Sequence, residues 1–540
     1  MRVYGFKFPE MPRRTALHEA EEWYQNLLAD RLGMPYTHIQ RNNFGQYDMA
    51  VHYLTSVLEE AKAIEKVAIF NIDHMGQILF SGKDACSLLN RVLPADIENM
   101  KIGSCKYTLL LNENGTVRDD MIVMKRTDNC FILVINAGFD ITEKGYAVGF
   151  EVDLISDADF IMQYKYEDEE VYVENISDRL VKLDVQGIYS YKVITEIFGN
   201  DVLKNRTNPE KNMVYFSFNE VIIRETDGIL PFDISEQDEA FAKDDSFIDE
   251  DTYFFSRTGY TNRWGWEIYI PIKHAEKRFK QIVLKALDYG GLLVGLGGRD
   301  ENRISAGNVG LPLMGSEYDE FHTPSNAPLI DSAVDWNKSE FVGREALLKD
   351  KENKNDKRLV IIIAEGNIVN CGVYLDGKRI GSVTSCIISP NVSHEKRLYI
   401  GSTRKNVNEA NGTAAIALAW LYNSPYKKDE NGLDILIEND LHIKIKVELF
   451  REKEIEELQE NGTESYSIKK SDNFSTESGT SDPDQLQLTT QYQTLRGTQS
   501  EEILPPVKKE KVPTGKAILG YISSDGVNPA TSAKALKSII

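Results

Sequence analysis

The apolar residues of this chain fall into short runs separated by turn-forming residues, which is the pattern of β-strands. Residues 67–72 and 77–82 form such runs on either side of the sequence Asp-His-Met-Gly, and residues 130–136 form another. Residues 180–188 predict a further strand whose end is marked by Gly187. The first half of the chain is therefore expected to contain sheet strands joined by tight turns.

The segment 107–123 predicts a β-hairpin that carries two adjacent carboxylates. Its turn contains residues 112–115, and Gly115 is the residue suited to a positive φ. The pleat of a strand sends neighbouring side chains to opposite faces, so at most one of Asp119 and Asp120 is expected to face the interior. The other carboxylate is expected to be solvated. This pair is the first candidate for chemistry.

Helical spacing, with apolar residues three and four positions apart, occurs in the segments 48–64, 84–93 and 274–289. A further helix is predicted over 190–198, and Gly290 marks the end of the helix at 274–289. Hairpins and helices are mixed without a repeated strand–helix–strand order. The pattern therefore favours an α+β fold over a doubly wound sheet.

Composition changes along the chain. Residues 233–251 are strongly acidic and poor in branched apolar residues, which predicts an exposed insertion. From residue 341 short strands predominate, as in a small β-domain or β-barrel that ends near residue 450.

Residues 453–540 have few aromatic residues and many Ser, Thr, Glu and Gln, which predicts a disordered tail. Within that tail the apolar residues 517–522 are either a docking peptide or a segment without fixed structure. The predicted domains are residues 1–330, 331–452 and 453–540.

The chain has 540 residues and a formal net charge of −22. This charge disfavours nonspecific binding to nucleic acid or to an anionic membrane, since both need clustered Lys and Arg. The five cysteines show no CxxC spacing, which argues against a disulfide framework or a zinc site. The sequence contains no apolar run of about 18 residues and no apolar signal region at its start. We expect a soluble, cytoplasmic protein.

Several motifs, in order along the chain, resemble those of the folate-binding aminomethyltransferase family, which contains the T-protein of the glycine cleavage system and related tetrahydrofolate-dependent demethylases. FNIDHMG resembles FDVSHMG, YTLLLNENGTVRDD resembles YSxMLNxxGGxxDD, and TGYTNRWGWEI resembles TGYTGExGxEI. GLGGRDENRISAG resembles GLGARDxLRLEAG, and FVGREAL with GSVTSCIISP resembles FIGREAL with GxVTSGxxSP. The resemblance spans most of residues 45–450. It implies a three-lobed ring with folate in a central channel and a C-terminal β-barrel.

The resemblance implies that Asp120, the second carboxylate of the pair, lies beside the reacting nitrogens of folate, which leaves Asp119 as the solvated member. A carboxylate there can stabilise positive charge that develops as a one-carbon unit passes to N5, or orient a proton. Glu267 matches the family glutamate that holds the pterin, because two carboxylate oxygens suit the parallel donors of the 2-amino group and ring N–H. The structural alternatives are a turn-capping aspartate and an exposed strand glutamate.

Tyr107 and Tyr260 match tyrosines that line the folate site, and core tyrosines are the alternative reading. Arg299 matches an arginine suited to a carboxylate of folate or substrate, with a structural ion pair as its alternative. Asn136 fits a strand-end residue near the pterin. His74 is expected to be a packed, hydrogen-bonded residue and not a catalyst. The sequence predicts neither a metal site nor a dinucleotide-binding loop.

The chain departs from the family pattern at identifiable positions. Thr116 replaces the second glycine of the hairpin turn, and Asn71 replaces the first aspartate of FDVSHMG. Asn262 and Arg263 stand where the family has Gly-Glu, and extra residues follow Gly307. In the implied fold these changes border the channel that a lipoyl-borne substrate would enter. We therefore expect folate binding to be retained, whereas the sequence leaves the identity of the one-carbon donor open.

The resulting hypothesis is a tetrahydrofolate-dependent transferase that passes a methyl or aminomethyl unit to tetrahydrofolate from a small-molecule donor or a lipoyl carrier protein. One alternative is a demethylase of a methylated sulfonium, amine or aryl ether. Another is a folate-binding regulatory or scaffold protein that has lost catalysis. The implied site consists of Asp120 as the catalytic group, with folate-binding residues Tyr107, Asn136, Tyr260, Glu267 and Arg299.

Overall fold

A computed structural model describes the chain in two compact units, of which one comprises residues 1–303 and 313–353 and the other residues 304–312 and 354–540. Within these limits the described residues are 13–33, 39–44, 47–54, 56–137, 139–140, 147–148, 156–205, 208–224, 246–306, 310–318, 323–325, 327, 330–352, 358–364, 368, 371–375, 378–388, 399–400, 403–404, 415–421, 427–428, 434–435, 445–460, 463–468 and 509–522.

The first unit contains two main sheets and most of the described helices. Its strands are β1 (Arg13–Arg14), β2 (Gln40–Phe44), β3 (Tyr47–His52), β4 (Ala68–Asn71), β5 (Gly76–Ser81), β6 (Cys105–Leu111), β7 (Val117–Thr127), β8 (Cys130–Ile135), β9 (Phe139–Asp140), β10 (Ala147–Val148), β11 (Tyr172–Asn175), β12 (Leu180–Gln186), β13 (Lys204–Asn205), β14 (Asn208–Asn212), β15 (Phe218–Ile222), β16 (Thr252–Ser256), β17 (Gly265–Pro271) and β18 (Leu292–Val294). The helices are α1 (His18–Leu32), α2 (Val57–Lys62), α3 (Ala85–Val92), α4 (Asp157–Met162), α5 (Ser190–Phe198), α6 (Ala275–Asp288), α7 (Leu296–Ile304), α8 (Ile330–Ala333) and α9 (Arg344–Glu352).

A six-stranded sheet forms the larger layer of the first unit, in the order β15-β16-β17-β12-β4-β18. Strand β12 pairs antiparallel with β17 and with β4. Leu183 and Val185 of β12 lie in the large apolar core with helices α5 and α6. Because side chains alternate along a strand, Lys182, Asp184 and Gln186 face the other side of the sheet. That side is therefore polar, although all three residues are almost fully buried.

A five-stranded antiparallel sheet contains the predicted hairpin, in the order β11-β5-β8-β7-β6. Gly115 in the hairpin turn has φ 79°, as the sequence predicted. Met121 and Val123 of β7 pack with helices α3 and α4, whereas Met124 packs with Phe254 of the six-stranded sheet. Both faces of β7 are therefore covered, and neither face of this strand is a solvent face.

Most of the secondary structure predicted for the first unit is confirmed, which gives a mixed α+β fold. The confirmed segments are the strands at 67–72, 77–82, 130–136 and 180–188, the hairpin at 107–123 and the helices at 84–93, 190–198 and 274–289.

The predicted helix over 48–64 is wrong in its first part. Residues Tyr47–His52 form strand β3, which lies between β1 and β2. Helix α2 begins only after Ser56, whose Oγ accepts a hydrogen bond from the backbone N–H of Leu58 at 3.2 Å. Apolar spacing alone could not separate these two elements, because the strand is stabilised by pairing with β1 and β2, which lie outside residues 48–64.

The second unit contains a seven-stranded sheet in the order β20-β21-β24-β19-β29-β27-β28, in which β20 also pairs with β27. Its strands are β19 (Arg358–Ala364), β20 (Cys371–Leu375), β21 (Lys378–Ile388), β22 (Tyr399–Ile400), β23 (Thr403–Arg404), β24 (Ala415–Leu421), β25 (Lys427–Lys428), β26 (Asp434–Ile435), β27 (Ile445–Glu460), β28 (Thr463–Ile468) and β29 (Lys509–Ile522).

The prediction of a tail without regular structure is wrong for β28, for β29 and for the last part of β27. The apolar residues 517–522 lie within β29, where Ile522 pairs with Ile362 of β19 and with Ile445 of β27. Neighbouring strands therefore supply the pairing that this segment cannot find locally. Residues 233–245 of the predicted acidic insertion lie outside the described residues. No helix in the described ranges is long and apolar enough to cross a membrane.

Candidate active site

Asp120 lies on β7, where its carboxylate is held by residues from the two neighbouring strands. The Tyr107 hydroxyl on β6 donates to Asp120 Oδ2 at 3.0 Å. Asn136, which follows β8, donates from Nδ2 to Asp120 Oδ1 at 2.8 Å. Burial is the largest cause that raises the pKa of Asp120 to about 7, against the lowering effect of both hydrogen bonds. This carboxyl can therefore gain or lose a proton near neutral pH.

Asp119 is fully buried, so the prediction that it is solvated is wrong. Its Oδ1 accepts from Asn136 Nδ2 at 2.6 Å and from the backbone N–H of Asp120 at 2.8 Å. Burial and a hydrogen bond with the Asp157 carboxylate raise the pKa of Asp119 well above its usual range. Arg118 donates from Nε to Asp157 at 3.1 Å. A hydrogen bond between two carboxyl groups needs a proton, and this arrangement places that proton on Asp119.

Asp119 is fully buried and Asp120 is half-buried for one simple reason. Residues on β7 alternate between the face covered by helices α3 and α4 and the face that packs towards the six-stranded sheet. Asp157, which contacts Asp119, is the first residue of α4. Alternation along the strand was therefore predicted correctly, but no pattern in the sequence indicated that both faces are covered.

Aromatic residues surround the Asp120 side of the site. Burial is the main cause that raises the pKa of the Tyr107, Tyr260 and Tyr318 phenols, and the charge of Asp120 contributes to each. All three tyrosines therefore lie close to this carboxylate. The Arg299 guanidinium stacks on the Tyr260 ring, with Cζ 4.6 Å from the ring centroid. Tyr260 thus connects the Asp120 group to helix α7.

Glu267 lies on β17 with its carboxylate buried, not exposed as in the alternative reading. The Thr258 hydroxyl donates to Glu267 Oε2 at 2.5 Å, and Lys182 Nζ lies 3.5 Å from the same oxygen. Asp184 of β12 is the direct cross-strand partner of Glu267. Cross-strand partners share one face of a sheet, so both carboxylates line the buried polar side described above.

Four buried polar atoms without a hydrogen-bond partner lie around Glu267. Across the described part of the chain they include His74 Nδ1, Asp184 Oδ2, Tyr269 Oη and Arg299 Nε. Each of these residues interacts electrostatically with another member of the group or with Glu267. Buried polar groups in folded proteins almost always have partners, so a group of open atoms is a candidate site for a polar ligand.

The charges in this group alter one another. Burial raises the pKa of Asp184 to about 7, with the charge of Glu267 as the second cause. Burial lowers the pKa of Lys182, although Glu267 and Asp184 oppose that change. Burial, Arg299 and Lys182 lower the pKa of His74 well below its usual range, so this imidazole is neutral at pH 7. His74 is packed against the Phe44 ring, as expected, but its Nδ1 has no partner in the described ranges.

The structure brings the predicted residues together in two groups. Asp120, Tyr107 and Asn136 are joined by direct hydrogen bonds. Tyr260 stacks on Arg299, and Arg299 interacts electrostatically with the Asp184 and Lys182 neighbours of Glu267. Arg299 therefore lies between the two groups.

Lys182, Asp184 and Tyr318 are residues of this site that the sequence analysis missed. A signal for the first two existed, because they are charged residues at alternate positions of the apolar strand LVKLDVQ. Charged residues in such a strand indicate an enclosed polar surface. Tyr318 follows Met314 in an irregular segment, and no periodic pattern distinguished it.

Two departures from the family motifs have local explanations. Asn262 adopts φ 51°, a left-handed conformation that asparagine tolerates better than most residues other than glycine. Asn71 donates from Nδ2 to the buried carboxylate of Glu21 at 2.8 Å. An aspartate at position 71 would place a second carboxylate against Glu21. Both replacements therefore suit this chain's own surroundings.

No group of three or more His, Cys, Asp or Glu residues in the described segments could hold a metal ion. The cysteines are free thiols, and all except Cys86 are buried. The site therefore consists of carboxylates, tyrosines, basic side chains and amides, which suit an organic ligand with several N–H donors and an anionic group.

Comparison with known proteins identifies the class. The profile of the GCVT N-terminal domain matches residues 39–231 and 232–338. An aminomethyltransferase of Caldanaerobacter subterraneus subsp. tengcongensis is 30% identical over 401 residues, which cover 74% of this chain and 88% of the relative. That of Corynebacterium jeikeium is 30% identical over 388 residues, covering 71% and 87%. The glycine cleavage system aminomethyltransferase T of Bartonella henselae has a similar fold, with a TM-score of 0.54 and 22% identity over 76% of this chain and 90% of that one.

These matches define a protein of the glycine cleavage T-protein type. The chain belongs to the folate-binding aminomethyltransferase family. This confirms the family resemblance and the transferase class that the sequence motifs predicted.

Proposed function

We propose that this protein transfers an aminomethyl-type one-carbon unit to tetrahydrofolate, with Asp120 as its catalytic residue. The observation that supports this proposal most directly is the Asp120 carboxyl, held between Tyr107 and Asn136 with a pKa raised to about 7. A general acid or base is most effective when its pKa lies near the working pH. The family membership supplies the reaction type.

The buried polar atoms that lack hydrogen-bond partners can be compared with the groups that a reduced folate carries. The pterin end of folate carries several N–H donors, and the described site offers the Glu267 carboxylate and the open Asp184 oxygen as buried acceptors. Arg299 offers an open Nε–H that suits a carboxylate. The residues therefore fit the cofactor. When bound, tetrahydrofolate supplies the nitrogen atoms that accept the carbon unit.

In this proposal Glu267 binds the 2-amino group and the adjacent ring N–H of the pterin, because a carboxylate can accept two parallel hydrogen bonds. Its position is maintained by Thr258 and Lys182. Tyr107 and Tyr260 provide flat apolar walls beside Asp120. Arg299 binds an anionic group of the folate or of the substrate.

Asp120 would act on protons and developing charge. In its ionised form it stabilises positive charge that develops on the transferring carbon, and in its protonated form it can donate to a leaving amine. Asn136 and Tyr107 keep the carboxyl in one orientation through both states, since each donates to a different oxygen. Burial excludes bulk water and strengthens these interactions.

The finer features of the fold and partner are part of the same proposal. The three-lobed ring and C-terminal β-barrel follow from the family, and the pairing of β20 with both β21 and β27 supports the barrel. The domain limit near residue 330 is proposed on the same basis. A lipoyl-bearing carrier protein is the proposed source of the aminomethyl unit.

The test combines binding and turnover. Calorimetric titration with tetrahydrofolate under anaerobic conditions should show a saturable site. The loaded protein should then form methylene-tetrahydrofolate from an aminomethyl-lipoyl carrier. Turnover only with a methylated sulfonium, amine or aryl ether would replace the proposal by the demethylase alternative. Binding without turnover on any donor would favour the regulatory alternative, and absence of binding would exclude all three folate functions.

A further inference from the structure

The carboxylate of Asp184 is fully buried but only half satisfied. Its Oδ1 accepts from Gln186 Nε2 at 2.6 Å. Its Oδ2 has no hydrogen-bond partner in the part of the chain that the structure describes. An unsatisfied buried oxygen of this kind costs free energy unless another molecule satisfies it. Such an atom beside a ligand site is therefore a candidate binding group.

The orientation of Asp184 is fixed by the residue that holds it. Gln186 Nε2 also donates to the backbone carbonyl of Thr258 at 3.1 Å, and its Oε1 accepts from the Thr261 hydroxyl at 3.1 Å. Two glycines enclose the same amide: a Cβ at Gly259 or Gly265 would lie 2.2 or 2.4 Å from the Gln186 side chain. The Gln186 side chain is therefore fixed in this position. Because it donates to Oδ1 of Asp184, Oδ2 of the same carboxylate points away from Gln186.

The neighbouring cations do not satisfy this oxygen. The Lys182 ammonium lies 3.5 Å from Glu267 Oε2, and it makes no hydrogen bond to Asp184 within the described residues. Arg299 attracts Asp184 electrostatically, but its own Nε is also open. His74 is neutral and has an open Nδ1. An acceptor and donors are thus left open together next to Glu267.

We propose that Asp184 is a second ligand-binding carboxylate, which accepts a hydrogen bond from N8–H of a reduced pterin while Glu267 binds the 2-amino group and its adjacent ring N–H. This rests on the proposed function. The two carboxylates are cross-strand partners on one face and can therefore contact one flat ligand. Of the remaining ring donors, N5–H belongs to the reacting end beside Asp120, which leaves N8–H for Asp184.

The chemical consequence is discrimination by oxidation state. Tetrahydrofolate and 7,8-dihydrofolate both carry a hydrogen on N8, whereas N8 of folic acid is an acceptor with a lone pair. A carboxylate attracts the first two ligands and repels the third. Asp184 therefore makes the site selective for reduced folates, independently of the N5 hydrogen that distinguishes tetrahydrofolate from dihydrofolate.

The experiment measures the affinity of the three folates for the full-length protein and for Asp184→Asn by calorimetry. The wild type should bind tetrahydrofolate and dihydrofolate at least about tenfold more tightly than folic acid. Asp184→Asn should weaken both reduced folates about ten- to a hundredfold and leave folic acid equal or tighter, because the new amide can donate to N8. Asp178→Asn, at a side chain that is 82% exposed, is the matched control and should bind as the wild type does.

A structural role of Asp184 predicts a different result. If the residue served only the fold, Asp184→Asn would lower the melting temperature of the unliganded protein and weaken all three ligands equally. A ligand-binding role predicts an unliganded variant at least as stable as the wild type, because an unsatisfied charge has been removed. Equal weakening, a large fall in melting temperature or unchanged affinities would each overturn the inference alone. Failure of the wild type to bind tetrahydrofolate would overturn the proposed function and the inference with it.

Discussion

Asp119 and Asp120 share one hydrogen-bond donor: Nδ2 of Asn136 lies 2.6 Å from Oδ1 of Asp119 and 2.8 Å from Oδ1 of Asp120. Two ionised carboxylates this close would repel each other strongly in a buried site. The hydrogen bond between Asp119 and Asp157 resolves the conflict, because it keeps Asp119 protonated. Asp120 is then the member of the pair that titrates near neutral pH.

Substitution of Asp119 tests this assignment. Asparagine imitates a protonated carboxyl, because its carbonyl can accept from Asn136 and its amide can donate to Asp157. We expect Asp119→Asn to keep most of the turnover and stability. Asp119→Ala should lose at least tenfold in turnover and about 2–4 kcal/mol in the free energy of unfolding, since it leaves buried partners unsatisfied. Equal losses in both variants would show that Asp119 acts as a charge.

Asp120→Asn should separate catalysis from binding. The amide cannot exchange a proton or carry a negative charge, so we expect turnover to fall about 10²- to 10⁴-fold. Tetrahydrofolate affinity should stay within about threefold of the wild type, because the pterin is held by other residues. Single-turnover kinetics with calorimetry checks both values. Full activity in this variant would remove Asp120 from the mechanism.

Glu267→Gln should act mainly on binding. The amide presents only one acceptor oxygen and sets N–H donors against those of the pterin, so affinity for tetrahydrofolate should fall about thirtyfold or more. Thr258 and Lys182, which contact Glu267 Oε2, would keep the local fold. Glu276→Gln, at an exposed carboxylate of helix α6, is a matched control. Unchanged affinity would disprove the assignment.

The stability of the unliganded protein should depend on pH through Asp184. The pKa of this group is raised to about 7 in the folded protein and is about 4 in the unfolded chain. Between these values the folded state binds more protons, so the free energy of unfolding falls as pH rises from about 4 to about 7. Asp184→Asn lacks this contribution. Its stability relative to the wild type should therefore rise across that range, by on the order of 2–4 kcal/mol.

Urea unfolding at pH 4.5 and 7.5 measures this difference. Other titrating groups are common to both proteins and cancel in the comparison. Parallel stability profiles for the wild type and Asp184→Asn would contradict a raised pKa of Asp184.

Asn71 gives a prediction about the family motif. Glu21 is buried and accepts hydrogen bonds from Asn71, Tyr53 and Arg41. Restoring the family residue by Asn71→Asp should destabilise the protein by roughly 2 kcal/mol, because two carboxylates would then face each other. The further substitution Glu21→Gln should recover most of that loss. Additive losses in the double variant, measured from urea midpoints, would rule out the proposed contact.

The sequence by itself determined the elements whose cause is local. Helix α5 has the predicted bounds 190–198, and Gly115 takes the predicted positive φ. Apolar spacing and turn chemistry involve residues close together in the chain, so they can be read without a structure. The motifs also determined the family, and with it the candidate roles of Asp120 and Glu267, which stay predictions until tested.

Only the tertiary structure decided which polar residues are buried and what they contact. Asp119 is buried because α4 covers the face of β7 that the hairpin alone would expose. Residues 47–52 form a strand because they pair with β1 and β2, and residues 517–522 form one because the distant strands β19 and β27 pair with them. Asp184 keeps its orientation because Gln186 packs against two glycines and donates to Thr258, which lies 72 residues away in the chain. Burial and pairing depend on contacts across long sequence separations, which no local pattern in one sequence contains.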